Sequence, residues 1–250
     1  MLVDRELEIV TPDGSMSTFV THPGGGSAHP VVLFFMDAPG KRDELHDMAR
    51  RLGAAGYYVM LPNLYYRSTC AFDASDDLVG RAAEVRALIA TLTFETVACD
   101  TSALLDRAAL DTAALAGPAG IVGYCMSGPF AYAMAGWFPE RIAAAASIYG
   151  VRLHGEGSPQ ALASNIIAEL YFACAELDEF VPAEMVDGLE DHLAECGKRA
   201  RIERYAGVRH GFAFPSRVGA YDGSACELHF ERLFDLFARN LARGPSIDKI

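Results

Sequence analysis

The 250-residue chain has no C-x-x-C pair, no basic run and no apolar stretch of membrane-spanning length. Its six cysteines (Cys70, Cys99, Cys125, Cys174, Cys196 and Cys226) are scattered, which argues against a zinc site. Twenty-one basic against thirty-three acidic side chains leave a formal charge of −12, a surface that repels phosphate backbones. Nucleic acid is therefore not an expected partner. The longest apolar run near the start, Val31–Met36, is strand-sized, so no membrane partner is expected either. The opening residues Met1–Glu6 lack the basic start and apolar stretch of a secretory leader. A soluble, cytoplasmic protein with reduced cysteines is the expectation. At this length the chain buries enough apolar surface to fold without a metal or disulfide.

What is present is an alternation. Residues 5–10 and 17–21 predict an opening hairpin around Pro12-Asp13-Gly14-Ser15. Val31–Met36, Tyr57–Leu61, Ala119–Val122, Ile142–Tyr149 and Ile166–Ala173 read as strands, and Arg201–Tyr205 as an edge strand. Between and after them, residues 43–54, 75–92, 95–108, 127–137, 183–196 and 223–242 read as helices. Strands alternating with helices predict an α/β fold, with a mainly parallel central sheet and helices on both faces. No repeat, low-complexity tract or linker composition divides residues 1–250, which read as one domain.

One cysteine stands apart. In Ile121-Val-Gly123-Tyr124-Cys125-Met126-Ser127-Gly128, Cys125 sits between a short apolar strand and a helical pattern. A sharp strand-to-helix turn lifts its central side chain beyond the sheet's end, and small neighbours such as Gly123 let the two backbones pass. The start of the helix carries partial positive charge, which favours a thiolate. The Met126 N–H would point to where an oxyanion forms. The segment alone also fits a buried cysteine in an ordinary turn. Ser127 stands one residue too late to be the nucleophile of the same turn.

A nucleophile needs a base, and the base an orienting acid. Asp178 follows the strand 166–173, with Glu176 and Glu179 as rivals, and His210 follows the strand 201–205. Both fall at the rim where open α/β sheets carry their sites. The other histidines (His22, His29, His46, His154, His192 and His229) read as solvated or packed in the core.

The segments Gly-Tyr-Cys125-Met-Ser-Gly, Ala-Glu-Leu-Asp178-Glu-Phe-Val-Pro and Arg-His210-Gly-Phe resemble those of the dienelactone hydrolase family. Phe35-Met36-Asp37-Ala38 and Leu61-Pro62-Asn63-Leu64-Tyr65-Tyr66-Arg67 extend the resemblance over nearly the whole chain. It implies an α/β-hydrolase fold and a Cys125-His210-Asp178 triad, with no metal or organic cofactor. The implied oxyanion hole lies between the N–H groups of Met126 and Ala38. The family also implies an early-loop glutamate that contacts the resting thiol. Asp37 stands there instead, one methylene shorter.

Tyr65, Tyr66, Arg67, Arg81 and Phe212 are the candidate substrate-binding residues. A second anion-binding arginine, which the family carries just after the histidine, is replaced by Phe212–Phe214 and Pro215, with Arg217 the nearest basic group. The expected partner is thus a small ester or lactone, cleaved through an acyl-enzyme and less anionic than a dienelactone. A thioesterase or other acyl hydrolase is the alternative within the fold. A binding protein without catalysis is the alternative outside it, although such a protein has no need of nucleophile, acid and base in order.

Overall fold

The computed structural model describes residues 1–241. Its continuous apolar runs become strands buried at every position: β3 (Val31–Phe35), β4 (Tyr58–Pro62) and β5 (Ala119–Tyr124). Strands covered on both faces require this pattern. The opening hairpin forms from β1 (Leu2–Thr11) and β2 (Gly14–Pro23). With β6 (Ile142–Ile148), β7 (Glu169–Leu177) and β8 (Ala200–Arg209), the strands make one eight-stranded sheet. Its order is β1-β2-β4-β3-β5-β6-β7-β8. β2 joins β4 antiparallel, and every pairing from β4 to β8 is parallel.

The helices are α1 (Asp43–Ala54), α2 (Ala82–Ile89), α3 (Phe94–Ala109), α4 (Gly128–Trp137), α5 (Ala183–Glu195) and α6 (Gly223–Asn240). The two-residue period of β5 shows how they are placed. Gly120 lies against Phe237 of α6, and the Tyr124 hydroxyl lies 3.3 Å from His229 Nε2 of the same helix. Gly123, out of step with both, lies against Ser127 and Gly128 where α4 begins. α6 and α4 therefore cover opposite faces of the sheet. Every residue of α4 from Gly128 to Gly136 is buried, as an internal helix requires.

Several boundaries differ from the sequence reading. The helix expected from residue 75 starts at Ala82, because Asp77 Oδ1 accepts the Gly80 N–H at 2.9 Å and closes a local turn. β7 begins three residues later than expected and runs on to Leu177, and β8 runs on to Arg209. The last helix ends at Asn240, and residue 242, its expected end, lies outside the described residues. Among the described residues, no single helix is long and apolar enough to cross a membrane.

Candidate active site

Cys125 stands where β5 passes through a short 3-10 turn (Cys125–Ser127) into α4, with its backbone left-handed at φ 54°. A non-glycine residue in that region costs about 1–3 kcal/mol and persists only where its surroundings impose it. Ser127 supplies much of that restraint. Its Oγ accepts the Tyr124 N–H at 2.9 Å and lies 3.1 and 3.2 Å from the carbonyl oxygens of Tyr124 and Phe35. The serine thus fastens the turn to the end of β3. A Cβ on Gly123 would stand 2.2 Å from the Ser127 carbonyl oxygen, and one on Gly128 would stand 2.5 Å from Gly150 Cα. Only glycine fits at either place.

The acid and the histidine meet through a strand irregularity. Ala175 pairs with Tyr205, yet Leu177 pairs with Arg209, so β8 carries two extra residues over that interval. Gly207, at φ 69°, turns within the bulge, and its N–H is taken by Glu176 Oε2 at 2.6 Å. Asp178 and His210 each follow the registered pair Leu177–Arg209 and therefore stand side by side. Asp178 Oδ2 lies 2.8 Å from His210 Nδ1, and a carboxylate accepts, so Nδ1 carries the proton. Asp178 Oδ1 accepts the Phe180 N–H at 2.9 Å, which fixes the carboxylate's rotation. Glu176, a rival acid by sequence, is occupied with the bulge.

Burial by itself lowers the His210 pKa. The bond from Asp178 and the adjacent Cys125 sulfur outweigh it and raise the pKa to about 10. His210 Nε2 is buried and has no hydrogen bond of regular geometry among the described residues. The imidazole stands between two rings that sequence reasoning did not pick out. Tyr149 and Phe180 each meet it edge-on with centroids 4.9 Å apart. Tyr149 leaves the end of β6 at φ 38°, and its buried hydroxyl has no partner among the described residues. Phe180 is 60% exposed, a large apolar face beside the imidazole. Their only sequence signal is position, at a strand end and two residues after Asp178.

Ala38 and Met126 stand at equivalent positions beyond a registered pair. Phe35 pairs with Gly123 across β3 and β5, and each residue lies three positions beyond that pair. Met126 is second in its helical turn, where an N–H has no intrahelical acceptor. Tyr65 donates its hydroxyl proton to the Ala38 carbonyl at 2.9 Å. Burial foremost, then the nearby charges of Asp37 and Cys125, raise the Tyr65 pKa, so it stays a donor. Asp37, expected beside the thiol, has both carboxylate oxygens bonded to arginines, Arg42 and Arg217.

The remaining sequence candidates turn elsewhere. The Tyr66 hydroxyl bonds to Thr11 and Asp100, at 2.7 and 2.8 Å. Arg67 is committed to Asp100 at 2.7 Å and Asp13 at 2.7 Å. The cause is Asp100, fully buried on α3, which demands a cation. Phe212 is completely buried among Tyr149, Tyr205 and His229. Arg81 pairs with Glu84 and lies over the ring of Phe72, which in turn packs on Tyr65. Arg67→Ala should accordingly destabilise the fold by about 3–5 kcal/mol, because it strands the Asp100 carboxylate. Urea unfolding would read that loss, while KM for an ester stays within about twofold. A KM rise without a stability loss would return Arg67 to the substrate.

The sequence matches the Dienelactone hydrolase family over residues 16–241. It is 27% identical to the "Putative carboxymethylenebutenolidase" of Salmonella typhi, over 92% of this chain and 90% of that protein. The structure resembles that of the "Putative Dienelactone Hydrolase" from Klebsiella pneumoniae, with TM-score 0.85, 21% identity and coverage of 96% and 99% of the two chains. It also resembles the dienelactone hydrolase from Anabaena variabilis, with TM-score 0.68, 16% identity and the same coverage. The structural likenesses give the fold, and the sequence match gives the family. The chain is an α/β-hydrolase and belongs to the dienelactone hydrolase family.

Proposed function

We propose that the chain hydrolyses a small ester or lactone through a Cys125-His210-Asp178 triad and an acyl-enzyme. The observation that carries this reading is the 2.8 Å contact of Asp178 with His210, whose other nitrogen is left unpartnered beside a cysteine held on a left-handed turn. Cys125 sulfur attacks the carbonyl carbon, a C–S bond forms, and the carbonyl electron pair moves to oxygen. The N–H groups of Ala38 and Met126 receive that oxyanion. Its collapse breaks the C–O bond, and His210 Nε2–H protonates the departing alkoxide. In a lactone, that alcohol stays attached to the acyl group.

The second half needs a neutral base. Once sulfur is acylated it carries no charge, and the part of the His210 pKa elevation that comes from Cys125 disappears. Burial then favours neutral imidazole, which takes a proton from water as the hydroxide attacks. The C–S bond breaks, the thiolate returns and the acid leaves. Asp178 holds the imidazole in the tautomer both halves require.

The relatives' name, carboxymethylenebutenolidase, points to a lactone bearing a carboxylate. The residues here favour a more neutral ligand. Arg217 is already paired with Asp37, and the exposed apolar ring of Phe180 flanks His210. Turnover of p-nitrophenyl acetate should vanish in step with iodoacetamide modification of Cys125, followed by mass spectrometry of its peptide. Undiminished turnover after complete modification at Cys125 would refute the mechanism.

A further inference from the structure

Two loops meet above the proposed site through charges that the mechanism does not use. The first, residues 36–44, carries the Ala38 N–H. The second, residues 210–217, carries His210. Arg42 stands between them and is almost wholly buried. A guanidinium has five N–H donors, and here each is placed. Nη1 reaches Asp37 Oδ1 at 2.5 Å and the Gly40 carbonyl at 3.1 Å. Nη2 reaches Glu44 Oε2 at 2.7 Å and Asp37 Oδ2 at 3.4 Å, and Nε reaches Glu44 Oε2 at 3.2 Å.

The second loop closes onto this arrangement at three points. Glu44 accepts the Ser216 N–H and hydroxyl, both at 2.8 Å. Arg217 Nη2 lies 3.2 Å from Asp37 Oδ2. The Arg42 guanidinium lies over the Phe214 ring, 5.0 Å from its centroid. Two carboxylates and two guanidiniums balance in charge. The 37–40 turn that they hold is tight: the Gly40 N–H bonds the Asp37 carbonyl, and a Cβ on Gly40 would strike the Phe72 carbonyl.

We propose that Arg42 is a positioning residue that ties the Ala38 turn to the His210 loop, and that Asp37 serves this tie rather than the thiol. The proposal rests on the hydrolase reading above. Both oxygens of Asp37 are engaged by guanidiniums, so the carboxylate is held by cations rather than offered to Cys125. Asp178 holds the imidazole independently, so the tie sets the Ala38 oxyanion donor, early in the chain, against a loop that lies late in it. A displacement of about 1 Å in such a donor costs on the order of 100-fold in rate. Lysine does not replace Arg42, because a single ammonium cannot span two carboxylates and a carbonyl.

Two reactions of Cys125 separate the roles. Alkylation by iodoacetamide needs the activated sulfur and forms no oxyanion, whereas hydrolysis of p-nitrophenyl acetate needs both. Arg42→Lys and Asp37→Asn should each lower kcat by about 10–100-fold with KM nearly unchanged. Both should alkylate at Cys125 within about twofold of the wild-type rate. The double variant should be no worse than the poorer single one. Glu44→Gln, at a less buried position, should lower kcat several-fold, and it carries the test if the Arg42 variant does not fold.

Alkylation falling in proportion to hydrolysis in Asp37→Asn would overturn the proposal and make Asp37 a thiol activator. Wild-type kcat in folded Arg42→Lys or Glu44→Gln, with only thermal stability lost, would overturn it as well. Cys125→Ala in the same ester assay is the control for the underlying reading. If it hydrolyses normally, the triad fails rather than the tie.

Discussion

Cys125→Ala is expected to lower kcat for a chromogenic short-chain ester by about 10⁴-fold or more, because the members of the proposed triad would act as a unit. The fold should survive the change. Alanine is smaller than cysteine and carries the same Cβ on the φ 54° backbone, so no new strain enters. The fastening of the turn belongs to Ser127, through Tyr124 and Phe35, and to Val151, whose N–H bonds the Cys125 carbonyl at 3.2 Å. None of these involves the sulfur. Thermal unfolding should therefore move by a few degrees at most while turnover collapses. What remains would come from the Ala38 and Met126 N–H groups, which still receive an oxyanion when water attacks. Cys125→Ser is the sharper comparison, because it keeps a nucleophile of similar reach but with a less acidic proton. It should fall between alanine and the wild type. An alanine variant that keeps more than a tenth of wild-type kcat would remove Cys125 from the chemistry.

The sheet was legible in the sequence because its central strands are continuous apolar runs, and Val31–Phe35 and Tyr58–Pro62 are buried at every residue. The turn at Cys125 was legible for a related reason: the close passage of β5 and α4 forces glycine at 123 and 128. Asp178 and His210 were legible only as residues beyond strand ends. What sets them side by side is the two-residue bulge of β8, which no periodicity marks, since the sequence reading ends that strand at Tyr205. The engagement of Asp37 was hidden for a different reason. One of its arginines is 180 residues away, and no local pattern records so distant a pairing. Tyr66 and Arg67 illustrate the converse. They follow a strand end, as pocket residues do, but Asp100 on α3 draws them towards the opening hairpin. A buried carboxylate decided their direction, and its burial is a tertiary fact.

Asp178→Asn should cost about 10³–10⁴-fold in kcat while leaving the backbone in place. The reason lies in how the side chain is held. One carboxylate oxygen accepts the Phe180 N–H and the other faces His210 Nδ1. In the variant the amide oxygen keeps the Phe180 N–H, which turns the amide nitrogen towards the imidazole. Nδ1 must then accept, and the ring proton moves to Nε2. A neutral His210 in that tautomer has no lone pair for the water that would release the acyl group in the proposed mechanism, so deacylation should suffer more than acylation. A burst of alcohol release followed by a slow steady state is the expected trace with p-nitrophenyl acetate. The pH dependence of stability should change as well. His210 has a folded pKa raised to about 10 from an ordinary value of 6.5. Its contribution is therefore fully present below about pH 6.5 and is lost as the pH rises through about 10. Removing the Asp178 charge takes away much of that elevation, and burial then pulls the imidazole down. The stability gap between wild type and Asp178→Asn should be widest near pH 6 and should narrow by pH 10 in urea unfolding. A gap that is flat over that range, together with kcat within tenfold of the wild type, would mean that Asp178 does not hold the base.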